Sequence, residues 1–312
     1  MYFPYLRGKQ FELLALRELS NRIGTSEKIS PVLEPVKRST TALERAMEAM
    51  IVYNVNFTII INPSVGECVL NNSTIIDVIN RKLSNYANFQ LGIIVSEFID
   101  LSLIDQTLQA ITSQKTLALI HVERPDNLDQ LLEWAETSDI RYNLYYDTIP
   151  IRRYRGLITN ETKIILADNF KSKQKNADYL LRADEFFSDE HLYFIENDDV
   201  GFSDFLTVGK EYSESGFLPY AVAIHLTYIN RNDNTIRIRH FVSDSNSDNI
   251  DVPGKFGEAI VKLMEFIDQE NIQTDAANEF RAHFLNGHYP GLGSLKKLSI
   301  KNHIELLLEL LG

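Results

Sequence analysis

Several polar side chains fall at the ends of apolar runs in this sequence: Glu34, Asn62, Glu97, Glu123, Asp147, Asp168, Asp204 and His225. Carboxylate oxygens gathered in one place can hold a hard divalent cation such as Mg²⁺ or Ca²⁺, and an imidazole can join them. Without a cation they repel one another, so their pKa values rise or they pair with basic side chains. Asp147, Asp168, Asp204 and His225 form the candidate catalytic set, with His225 as acid or base. Glu34, Asp168 and Asp204 are candidate ligands for a metal whose identity the sequence leaves unknown. Arg7 and Lys9 flank Gly8 ahead of a helical run whose first turn carries Glu12. A basic pair there can bind an anion or neutralise acidic neighbours. Arg7, Lys9, Glu12, Glu34, Glu97 and Glu123 are therefore the candidate ligand contacts.

Plainer readings stand beside these. An acidic residue after a strand is often a helix cap or a solvated rim residue, and Arg7, Lys9 and Glu12 can form a surface ion-pair set of little energetic worth. Pro253-Gly254-Lys255 opens a helix but lacks the spacing and the hydroxyl residue of a phosphate loop. His240, Ser243 and Asp244 match a hydrolytic triad by residue type alone, with no nucleophile elbow. His283, His288 and His303 lack metal-ligand spacing. Lys296, Lys297, Lys301 and His303 form a small basic patch that reads as a solvated helix face or a partner surface.

The elements that must position these groups alternate. Apolar runs at 29–36, 57–62, 91–97, 116–123, 142–147 and 163–168 are separated by amphipathic helical stretches, which is the pattern of a parallel sheet covered by helices. Runs at 201–208 and 220–229 bring the strands to eight and predict a closed (β/α)₈, TIM-barrel-like α/β fold, whose strand ends converge on one mouth. The open doubly wound sheet competes, but no glycine-rich turn follows the first strand. Tyr220–Ile229 and Thr235–Val242, joined by Asn230-Arg231-Asn232-Asp233-Asn234, read as a β-hairpin. The expected layout is one barrel domain over 1–312. It comprises an N-terminal strand and helix at 1–28, a barrel core at 29–256, and C-terminal helices at 257–312 packed on the barrel. The segment 171–199 reads as a polar loop with short helices.

Composition bounds the function. The chain has 312 residues, 44% hydrophobic and 24% charged, a globular profile with no apolar run near membrane-spanning length. A net charge of −12 weighs against broad nucleic-acid binding, which needs clustered Lys and Arg. The single cysteine, Cys68, excludes an intrachain disulfide. With no signal-peptide pattern, a cytoplasmic location is expected and no membrane partner.

Five strings carry a resemblance: YFPYLRGKQFELLAL at the start, GFSDF at 201–205, YAVAIHLTY at 220–228, HFVSD at 240–244 and GLGSLKKLSI at 291–300. Together they look like the "beta protein" family of phages and bacteria. The closer similarity is to a bacterial branch often encoded beside a small nuclease-like protein. The resemblance implies a barrel-like fold, a phage-defence or mobile-element setting and a nuclease-like partner; it brings no catalytic motif. The function expected is a barrel that binds a ligand or partner in such a system. The alternative is a metal-assisted hydrolase of a phosphate ester at an acidic barrel mouth.

Overall fold

The computed structural model describes residues 1–113, 115–158, 162–214 and 218–312. The chain runs β1 (Tyr2–Leu6), α1 (Gln10–Ser26), β2 (Val32–Leu33), α2 (Thr41–Val52), β3 (Phe57–Ile60), α3 (Ser73–Lys82) and β4 (Phe89–Val95). It continues through α4 (Leu101–Ala110), β5 (Leu117–His121), α5 (Leu128–Glu136), β6 (Ile140–Tyr146), α6 (Ile149–Tyr154) and β7 (Lys163–Ala167). Then come a 3₁₀ turn at Asn176–Arg182, β8 (Asp184–Ser188), α7 (Glu190–Tyr193) and β9 (Gly201–Asp204). Last are β10 (Ala223–Ile229), β11 (Ile236–Val242), α8 (Val252–Glu270), α9 (Asp275–Leu285) and α10 (Leu292–Leu311).

β1 to β7 and β9 form a closed parallel barrel, so the fold is (β/α)₈ and TIM-barrel-like. β9 closes it, pairing with β7 through Ile165↔Phe202 and with β1 through Phe3↔Ser203. Side chains of one parity fill the interior, among them Phe3, Tyr5, Val32, Ile60, Ile94, Ala118, Ile120, Leu144, Leu166 and Phe205. Gly92 is needed in that interior, since a Cβ there would meet the Ile60 and Thr58 side chains at 2.8 Å.

Tyr220–Ile229, expected as the last barrel strand, is not in the barrel. Its β10 core lies in a separate antiparallel sheet of order β10-β11-β8. The cause is readable in burial. All five residues of β1 are buried, as a strand covered on both faces requires, whereas Ala223, His225 and Tyr228 on β10 are only half-buried. The hairpin itself is present, with Asn234 in the left-handed region at φ 59°. The segment read as a polar loop holds β8, whose Phe186 and Phe187 are flanked by Asp184, Glu185 and Ser188, which dilute the strand pattern.

One barrel domain was expected, yet the chain divides into two compact units: Met1–Asp168 with Tyr193–Phe205, and Asn169–Leu192 with Leu206–Gly312. The first holds the barrel. In the second, β10 and β11 share a core with the C-terminal helices, built from Val222, Ile224, Leu226, Phe241, Phe256, Leu263, Phe280 and Leu298 among others. The helices after 257 thus complete a core of their own with the hairpin. α8 begins earlier than its apolar run, capped by Asp251, whose side chain accepts from the Gly254 amide. No helix among the described residues is long and apolar enough to cross a membrane.

Candidate functional site

In the barrel, the predicted residues fall into separate environments. Glu34 is buried and shared. Tyr5 Oη donates to its Oε2 at 2.8 Å, the Ser64 amide and hydroxyl donate to Oε1 at 2.7 and 2.8 Å, and Arg7 Nε lies 3.6 Å from Oε2. Burial, then the Glu34 charge, pushes the Tyr5 phenol well above its ordinary value. Glu12 reaches back so that its Oε2 accepts from the Arg7 amide at 2.7 Å, and the Arg7 guanidinium lies over the Phe205 ring. Arg7, Glu12 and Glu34 are therefore brought together in a buried network at the end of β1. Lys9 is the N-cap residue of α1, its carbonyl accepting from the Leu13 amide.

Burial raises the pKa of the Tyr146 phenol, and of the other carboxylates Asp168 and Asp147 both add to that rise. Phe205 belongs to the interior cluster, so alternation turns Asp204 to the outer face, where Tyr2 Oη donates to it at 2.6 Å. Asp147 holds Arg152 through two bonds of 2.5 and 2.6 Å on the solvent side of α6. Asp168, Glu97 and Glu123 are exposed, and Glu123 accepts from the Glu97 amide. Asn62 brackets the Ile94 backbone. The four carboxylates Glu34, Asp147, Asp168 and Asp204, expected in one cavity, do not all share one, since Asp204 lies on the outer face and Glu34 on the inner. Among the described residues no group of three His, Cys, Asp or Glu side chains could hold a metal ion.

A buried histidine that the sequence reading passed over, His121, sits on the outer parity of β5. Its Nε2 is 3.0 Å from Asn143 Oδ1 and its Nδ1 2.9 Å from Tyr154 Oη, with Tyr145 stacked at 4.4 Å. Since Asn143 Oδ1 only accepts, Nε2 carries the proton and Nδ1 accepts from Tyr154. Burial lowers its pKa to about 4.

The more complete site lies in the second unit. His225 on β10 and His240 on β11 are register partners, and their Nδ1 atoms are 2.8 Å apart. Glu185, on the neighbouring β8, puts Oε1 3.5 Å from His240 Nε2. Tyr179 and Phe170 pack their rings against the pair. His240 Nε2 makes no hydrogen bond among the described residues, but the Glu185 side chain 3.5 Å away favours the N–H on that nitrogen, so His240 Nδ1 accepts from His225 Nδ1–H. His225 Nε2 is then a bare lone pair. Burial, then His240, then Lys296 holds His225 well below its usual pKa, hence neutral. Burial also lowers His240, opposed by Glu185.

His225 lines a cavity of about 720 Å³, in the range of small-molecule sites. Its walls include Phe170, Lys175, Asn176, Thr207, Tyr220 and Lys296. Thr207 is 4% exposed, and its hydroxyl has no hydrogen-bond partner among the described residues. The preceding Leu206 is held at φ 51°, a region costly for a bulky side chain and one that clusters at functional sites. The tertiary structure breaks up the basic patch of the sequence reading. Lys296 enters the cavity, Lys297 and Lys301 pair with Glu279, and His303 is buried against Thr227. Lys255 ties the Tyr220 and Asp248 carbonyls instead of a phosphate, and Ser243 Oγ accepts from the Val222 amide while Asp244 pairs with Lys262, so neither forms a triad. His283 and His288 face each other on the surface. Of the candidate catalytic set, His225 alone lines this cavity; what the sequence reading missed was Thr207, His240 as the hydrogen-bond partner of His225, and Lys296 as more than surface charge.

The molecule is thus defined as a closed (β/α)₈ barrel joined to a second unit that holds a histidine-bearing cavity. No family profile, curated protein or solved structure matches the chain.

Proposed function

We propose that the second unit is a ligand-binding module whose cavity takes an anionic small molecule with an apolar body. The observation that carries this reading is charge. Among the described residues no Asp or Glu lines the cavity, although the chain has 43 of them, while Lys175 and Lys296 both line it. Lys296 is half-buried and has no carboxylate partner among the described residues. A cavity wall carrying positive charge and no carboxylate among the described residues is complemented by a bound anion. The test is calorimetry with inorganic phosphate, pyrophosphate and aromatic carboxylates against wild type and Lys296→Ala. The expected result is binding weakened about tenfold or more by the substitution, the loss of one charge-assisted contact. Equal affinity for both proteins would overturn it.

The family resemblance adds a setting: a cytoplasmic ligand-binding component acting beside a nuclease-like partner. Co-purification with a nuclease-like protein encoded next to this chain tests that part. The metal-assisted hydrolase has less support, because Asp204 turns to the outer face away from Glu34, and among the described residues no group of three His, Cys, Asp or Glu side chains could hold a metal ion.

A further inference from the structure

Three features of the cavity go beyond its charge. Tyr220 lines it while 59% exposed, and Lys255 Nζ holds the Tyr220 carbonyl at 2.9 Å, so the residue is anchored but its ring is left uncovered. Phe170 forms a second aromatic wall, set edge-on against His225 at 5.0 Å. Aromatic faces beside a cavity are platforms for flat rings. The lining also holds three carboxamides, Gln174, Asn176 and Asn246. Each offers donors and an acceptor, the complement of a nucleobase edge, and Asn176 is oriented by its bond to the Ala221 carbonyl at 2.8 Å. Finally, with its Nδ1 bonded to His240, His225 keeps Nε2 as a hydrogen-bond acceptor in a side chain that lines the cavity.

Lysines alone would take any anion. A lone-pair nitrogen does not attract one; it recognises a hydroxyl or N–H. Aromatic walls with carboxamides ask for a flat heterocycle. Building on the anion-binding reading, we infer that the cavity binds a ribonucleotide. The phosphate meets Lys296 and the Thr207 hydroxyl, a ribose hydroxyl donates to His225 Nε2, and the base stacks on the exposed ring of Tyr220 with its edge read by the carboxamides.

The experiment is calorimetry of the full chain with the four ribonucleoside 5′-monophosphates, a 2′,3′-dideoxynucleoside monophosphate, ribose 5-phosphate and inorganic phosphate. At least one ribonucleotide should bind about tenfold or more tighter than ribose 5-phosphate, the worth of one stacked base. Tyr220→Ala should remove that advantage. The dideoxy analogue should bind about threefold to tenfold more weakly than its ribo counterpart, one hydrogen bond, and His225→Ala should erase the difference. The ribo-to-dideoxy comparison on wild type stands even if His225→Ala does not fold. Ribose 5-phosphate or phosphate binding as tightly as every nucleotide overturns the nucleotide inference and leaves the anion site intact. Failure of every anionic probe to bind, with Lys296→Ala silent, removes the anion reading itself.

Discussion

Glu34 shows how the oxygens of one buried acidic side chain are satisfied inside a barrel. It has two donors on one oxygen, a phenol on the other and a guanidinium at 3.6 Å. Glu34→Gln keeps the shape but removes the charge facing Arg7, and only one amide oxygen remains to accept. The expected loss is about 3 kcal/mol, near the lower end for breaking a buried pair, read from urea unfolding. His121 supplies a pH dependence. Its folded pKa of about 4 lies below the ordinary 6.5, so the unfolded chain takes up the proton first. Its contribution is fully present above pH 6.5 and falls as pH drops from 6.5 towards 4, by about 3 kcal/mol in total. The checks are the His121 imidazole resonance, expected to titrate near pH 4, and an acid-side stability loss that is shallower in His121→Gln.

Among elements, α1 and α2 approach so closely that one atom decides the outcome. Gly24 sits in the last part of α1, where alanine would ordinarily gain about 1 kcal/mol in helix propensity. Here an added Cβ would stand 2.0 Å from the Tyr53 carbonyl oxygen, a backbone atom that cannot swing aside. Steric cost therefore outweighs propensity, and Gly24→Ala should destabilise the protein by about 1–3 kcal/mol, seen as a lower melting temperature. The hairpin illustrates the opposite balance. Asn230 and Asn234 close the turn with the Asn230 amide bonded to the Thr235 carbonyl at 2.9 Å, and this local chemistry is independent of which sheet the strands join.

For the whole molecule, the dispersal of the barrel carboxylates leads to a thermodynamic expectation. A cation stabilises only if it binds the folded chain through several converging oxygens. Mg²⁺, Mn²⁺ and Ca²⁺ should each leave the melting temperature within about 1 °C of the metal-free value. A rise that Asp204→Asn abolishes would contradict this geometry. Ligands that stabilise should instead be anions acting through the second unit.

The period of the sequence was enough for the barrel. Alternating apolar strands and amphipathic helices admit few packings, and each strand needs only its own residues to declare itself. The hairpin and the C-terminal helices within 257–312 were legible for the same local reason. Which strand closes the barrel was not. β1 and β10 look equally apolar in the chain, and only pairing with β9 or with β11 separates them. The site was less legible still. His225 carried a signal, a lone imidazole in an apolar run. Its meaning comes from His240, fifteen residues away, from Glu185 on a strand hidden in a polar stretch, and from Lys296 on the last helix. Strand parity likewise turned Asp204 away from Glu34. Side-chain direction and long-range neighbours are properties of the packed chain, and no local pattern of residue types encodes them.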